Sequence, residues 1–138
     1  MTWAGITSAV VLAVAGDAAF AQETYRCKVA DVVSLGDDGR LRSDSNSSDV
    51  MRRIYNGIII DTLTGALTYP DGSRTMWSVV QKGGGYNDHV LIPANTFGDQ
   101  ASAATYFIRV RAWSEKPMAH FLAFGLSNFA SGPCEVVR

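Results

Sequence analysis

Tyr106-Phe107-Ile108-Arg109-Val110-Arg111-Ala112-Trp113, then Ser114-Glu115-Lys116-Pro117, then Met118-Ala119-His120-Phe121-Leu122-Ala123-Phe124-Gly125: this stretch decides the fold. Two alternating runs flank a short proline-containing connection, which is the pattern of a β-hairpin. Tyr106, Ile108, Val110 and Ala112 share one face and read as the inward side. Phe107, Arg109, Arg111 and Trp113 share the other. A four-residue connection sets Trp113 opposite Met118, Arg111 opposite His120, Arg109 opposite Leu122 and Phe107 opposite Phe124. The outer face is therefore a mixed aromatic and cationic strip. Guanidinium forks and ring faces of this kind suit an anionic group or a sugar. The competing reading has Arg109 and Arg111 lay their stems over a partly covered face, with Trp113 packed under a loop.

The same grammar of short runs and turn residues extends outward in both directions. Ile58 to Asp61 and Ala66 to Tyr69 form a second hairpin, in which Gly65 supplies the positive φ of a type I turn with a G1 bulge. Pro70-Asp71-Gly72 and Gly36-Asp37-Asp38-Gly39 are turns. Met76 to Gln81 reads as a strand with Trp77, Val79 and Gln81 on the core side, and the segment from Thr24 opens with Tyr25, Cys27 and Val29 on one face. Residues 43–49 read as a mobile polar loop, followed by one or two helical turns capped by Ser48 or Asp49. The expected fold is all-β: a small antiparallel β-barrel or β-sandwich of seven or eight strands, with at most one short helix. No solenoid repeat or heptad array competes with it.

Two cysteines close this domain. Cys27 lies near the start of the expected mature chain and Cys134 near its end, and the even count in an exported chain reads as one disulfide. That link predicts that the first and last strands are neighbours. Zinc on Cys27, His89, His120 and Cys134 lacks the short ligand spacings of structural sites, and there is no redox C-x-x-C. Export is read from residues 1–21. Ile6 to Ala15 is an apolar run of signal-peptide length, and Ala19-Phe20-Ala21 is an A-x-A cleavage pattern, although no Lys or Arg precedes the run. Residues 1–21 are thus expected to be a signal peptide and 22–138 a single domain, periplasmic or secreted, with no membrane span after cleavage.

Composition narrows the function. The 138 residues carry 12 Lys+Arg against 13 Asp+Glu, with 47% hydrophobic and 18% charged residues. One globular domain fits this length, and the lack of a basic excess argues against nucleic-acid binding. The loop Lys82-Gly83-Gly84-Gly85-Tyr86-Asn87-Asp88-His89 is glycine-rich, but its Lys precedes the glycines and a strand follows, so it is no P-loop. It reads as a flexible connection or as a binding tip in which Tyr86 offers flat area and Asn87, Asp88 and His89 offer hydrogen bonds. Asp88 beside His89 resembles an acid–base dyad only on paper, because adjacent strand residues face opposite ways. No nucleophile elbow, free thiol or H-E-x-x-H motif is present. Asn46-Ser47-Ser48 fits a glycosylation sequon.

Tyr25-Arg26-Cys27 and Gly132-Pro133-Cys134 at the two ends resemble small exported bacterial β-barrels that inhibit c-type lysozyme. That resemblance implies a periplasmic inhibitor held by a terminal disulfide. The family's Ser-Gly-x-x-Tyr loop has no counterpart, since Ser131-Gly132 is followed by Pro133-Cys134. Asp61-Thr62-Leu63-Thr64-Gly65 and Trp77-Ser78-Val79-Val80-Gln81-Lys82-Gly83-Gly84 look more like small exported proteins of Gram-negative bacteria, which implies a compartment and no activity.

The expected function is a non-catalytic, cofactor-free and metal-free binding module for an envelope protein or glycan. Its binding residues would be Tyr86, Asn87, His89, Arg109, Arg111, Trp113 and His120, presented with the long loops at 44–49, 82–88 and 94–104. The alternatives are a lysozyme-inhibitor-like protein, a small hydrolase using Asp88, His89 or His120, and a structural component of an envelope assembly.

Overall fold

A computed structural model describes residues 23–43, 45–93, 106–113, 118–125 and 127–138. The expected signal peptide, the loop at 94–104 and the connection at 114–117 fall outside the described residues. The strands are β1 (Thr24–Cys27), β2 (Asp31–Leu35), β3 (Leu41–Arg42), β4 (Ile59–Asp61), β5 (Ala66–Thr68), β6 (Arg74–Gln81), β7 (His89–Pro93), β8 (Tyr106–Arg111), β9 (Ala119–Gly125) and β10 (Asn128–Val136). One helix, α1 (Ser45–Tyr55), lies between β3 and β4.

Eight strands close into an antiparallel barrel in the order β1-β4-β5-β6-β7-β8-β9-β10, and β10 returns to β1. Closure leaves these strands without a free edge, which removes the template for edge-to-edge aggregation. The hairpin register expected for β8 and β9 is observed: Arg111 pairs with His120, Arg109 with Leu122 and Phe107 with Phe124. The closing pair sets Cys27 directly across from Cys134, and the two form the disulfide. The link spans 107 residues of sequence. In the chain-entropy model a loop of this size stabilises by roughly 4–5 kcal/mol.

β10 is long because one of its edges serves two partners. Its C-terminal half pairs with β1 and its N-terminal half with β2, while β9 runs along the other edge. The register slips by one residue where β1 passes into β2. The interrupted backbone there is fully engaged: Lys28 and Ala30 N–H groups donate to the carbonyls of Pro133 and Ser131, and Val29 N–H donates to Asn56 Oδ1. Arg52 of α1 donates to the carbonyls of Val29 and Ala30, both at 2.8 Å. Beyond this point β2 and β3 form a small flap outside the closed ring.

The inward positions make one core of Tyr25, Ile60, Leu67, Trp77, Leu91 and Ile108, joined by Val110, Phe121 and Ala130 and by the disulfide itself. The hairpin turn read around Gly65 is present, with φ of 79° and its N–H donating to Asp61 O. Any side chain at Gly65 would meet the Trp77 carbonyl oxygen at 1.9 Å. The first β-turn of the hairpin therefore also sets how closely β5 approaches β6.

Three expectations need correction. Residues 45–49 are not a loop but the first turns of α1, which turns Met51 and Tyr55 inward at the i, i+4 spacing of a helix face. Burial chiefly, with help from Tyr69 and Tyr106, pushes the Tyr55 pKa up to about 12. Gln81 does not share the core face of Trp77, because a bulge between Val79 and Gln81 turns it outward. Ala112 lies past the end of β8 and is exposed rather than inward.

Candidate functional site

β6 and β7 are joined by residues 82–88, at the barrel end opposite α1. This segment is held rather than loose. The Gln81 side chain donates to the Asp88 carbonyl at 2.7 Å, and Gly84 and Asn87 exchange backbone hydrogen bonds in a small antiparallel bridge. Gly83 N–H donates to Nδ1 of His89 at 2.9 Å. A Cβ at Gly83 would come within 2.5 Å of the imidazole, so only glycine lets this strand end lie against the ring. The bridge leaves Tyr86 at the tip, 88% exposed.

Asp88 and His89 take opposite faces, as strand alternation requires. His89 turns inward, is 4% exposed and lies 6.4 Å from the Tyr25 ring. Burial lowers its pKa, against the weaker opposing pull of the Asp88 charge. His89 is thus removed from the surface set in which sequence placed it. Asp88 turns to the outer wall, where the β7–β8 register sets it beside Arg109 and Arg111.

That carboxylate gathers the site. Arg109 Nη2 donates to Oδ2 at 2.7 Å, Arg111 Nε to Oδ1 at 3.2 Å, and Trp113 Nε1 to Oδ1 at 2.7 Å. Asp88 is only 4% exposed, and burial alone would raise its pKa. Hydrogen bonds from Arg111 and Trp113, with the charges of Arg111 and Arg109, outweigh that penalty and hold it below the usual carboxylate value. The guanidiniums stay open to solvent, with side chains 44% and 52% exposed for Arg109 and Arg111. The Arg111 guanidinium sits 5.3 Å from the Trp113 ring centroid, and Tyr86 meets Trp113 edge to face at 5.8 Å.

Four of the expected binding residues, Tyr86, Arg109, Arg111 and Trp113, therefore form one platform. His120 is exposed on the next strand, directly across from Arg111. Asn87 supports the loop through its backbone. The feature that sequence reasoning missed is Asp88 as the organiser. Its signal was an acid one residue before a strand, but it becomes legible only once β7 is known to lie beside β8.

Asp88 and His89 do not pair with one another as acid and base. Asp88 takes its donors from Arg109, Arg111 and Trp113, which hold its pKa below the usual carboxylate value, and His89 points into the core with Nδ1 already accepting a hydrogen bond. Among the described residues no cluster of three His, Cys, Asp or Glu could hold a metal ion. No helix among them is long and apolar enough to cross a membrane. Comparison with family models, curated proteins and solved structures returned no match.

Proposed function

We propose that this protein is a non-catalytic binding module of an oxidising compartment, periplasmic or secreted, whose contact surface is the Asp88-braced platform. The observation that carries this reading is the contrast within the platform. Asp88 is buried and engaged, while the two arginines it holds stay open to solvent and Tyr86, set edge to face against the Trp113 that Asp88 also holds, projects into it. Tyr, Trp and Arg are the residue types that concentrate binding energy at interfaces, and bracing them beforehand lowers the ordering cost of association. The partner class is an envelope protein or glycan. The buried disulfide supports the oxidising compartment.

A lysozyme-inhibitor role is the weaker alternative. Ser131-Gly132 lies inside β10 rather than on a loop, and a Cβ at Gly132 would meet the Lys28 carbonyl oxygen at 2.0 Å. That pair serves strand packing.

The test is retention of separated envelope protein and glycan fractions on the immobilised, oxidised protein. Binding that Tyr86→Ala weakens about ten-fold or more, with an unchanged melting temperature, is the expected result. No retained fraction, or retention indifferent to both Tyr86→Ala and Arg109→Ala, rules the proposal out.

A further inference from the structure

We infer that the platform is one end of a track for a carboxylate-bearing saccharide chain, an inference that rests on the binding-module reading above. The outer positions continue the platform across the wall. Arg111 pairs with His120, and His120 pairs with Pro133. Lys28 N–H bonds the Pro133 carbonyl, and Arg26 stands opposite Glu135. Arg26, Lys28 and His120 are all exposed. Beside them a hollow of about 170 Å³ is lined by Arg26, Lys28, Met118, Pro133, Cys134 and Glu135.

Cations outnumber acids along this wall. Arg109, Arg111, Lys28 and Arg26 face Asp88, Glu135 and Asp31, the last in the cross-strand row of Arg109, before His120 is counted. The whole chain has a formal net charge of −1, so the track is a local concentration of positive charge. Strands lie about 4.8 Å apart, so Arg111 to Lys28 covers roughly 14 Å. A ligand with anions repeated along a chain uses that length, whereas a single small anion does not.

The fold also argues for a saccharide over an acidic peptide. At this end β8, β9, β10 and β1 each have both edges paired, which denies a peptide the backbone hydrogen bonds of strand addition. What the wall offers is side-chain chemistry alone: guanidinium forks shaped for carboxylates, and ring faces at Tyr86 and Trp113 for the C–H faces of sugars.

The experiment is calorimetric titration of the oxidised protein with three defined probes: oligogalacturonate, the same oligomer fully methyl-esterified, and poly-glutamate of matched charge. Oligogalacturonate should bind, with each of the other probes about ten-fold weaker or worse, a difference of about 1.4 kcal/mol. Raising the salt concentration should weaken it. Lys28→Gln and Arg26→Gln should each weaken it about two- to five-fold with unchanged melting temperature, because both side chains lie on the surface.

Equal binding of the esterified oligomer would overturn the anionic track. If that binding were still lost in Tyr86→Ala, the binding-module reading would stand without it. Poly-glutamate binding as well as oligogalacturonate would overturn the saccharide class. Indifference to Lys28→Gln and Arg26→Gln would confine the ligand to the platform and overturn the track. No oligogalacturonate binding at all would end this inference, while the envelope-fraction experiment judges the platform independently.

Discussion

Residues 45–55 and residues 82–88 look alike as sequence: both are short, polar and rich in small residues, and both sit between strands. The barrel treats them in opposite ways. The first becomes α1, turns Met51 and Tyr55 inward, and is tied to the join between β1 and β2 through Arg52 and, just past the helix, Asn56. The second stays irregular, sends its aromatic ring outward, and is held by a carboxylate and a histidine at its base. A segment that can deliver apolar side chains one helical turn apart is recruited to the core. One that carries a lone ring between glycine and asparagine is left for the surface, and order there comes from hydrogen bonds and charge.

This contrast predicts a descending series of effects. Tyr55→Ala should cost about 3–5 kcal/mol by opening a cavity at the helix end of the barrel. The melting temperature should fall by roughly 10–20 °C. A shift of only a degree or two would mean that α1 is an ornament on a self-sufficient barrel.

Asp88→Asn should cost about 1–2 kcal/mol at neutral pH, limited by the solvent exposure of both arginines. The pH profile is the sharper readout. A carboxylate whose folded pKa is lowered stabilises the protein above its unfolded value of about 3.9 and loses that contribution as pH falls through the folded value. Acid unfolding of the wild type below about pH 4 should contain this component. Chemical denaturation across that range should show it missing from Asp88→Asn.

His89 titrates in a different window. Its folded pKa is lowered, so its contribution is complete above the unfolded value of about 6.5 and declines as pH falls below it toward the folded value. His89→Gln should flatten the stability profile just below about pH 6.5 while leaving the acid component of Asp88 in place. If the two variants altered the same window, the inside–outside division of these neighbours would be wrong.

Tyr86→Ala closes the series. At 88% exposure the ring contributes little to folding, and stability should stay within about 0.5 kcal/mol of wild type. Thermal melts measure this directly, and a larger loss would make the tip part of the fold rather than a surface held ready for contact.

Local pattern carried much of this structure. The alternation at 106–111 and 119–125 set the register of the hairpin, because a one-residue slip would have buried Arg109 and Arg111. Gly65 announced its turn through the positive φ that the turn demands. The placement of the two cysteines announced the seam of the barrel. Local pattern failed at residues 45–49, where serine, asparagine and aspartate favour turns but the tertiary reward for burying Met51 and Tyr55 prevails. It failed again at Gln81, where a bulge resets the alternation, and at His89, whose polarity suggested the surface although the Gly83 N–H offers it a partner inside.

What sequence determined by itself was the class of the fold, its disulfide, the outer face of β8 and β9, and the residue types available there. Periodicity, turn chemistry and cysteine placement act over a few residues or through a simple count, so they can be read from one chain. Only the tertiary structure decided that β7 lies beside β8, and hence that Asp88 meets Arg109, Arg111 and Trp113, and that Lys28 and Arg26 extend the same wall. Those meetings join residues more than twenty positions apart. They depend on how a closed ring of strands must be staggered to pack its core, a global condition that no local stretch contains.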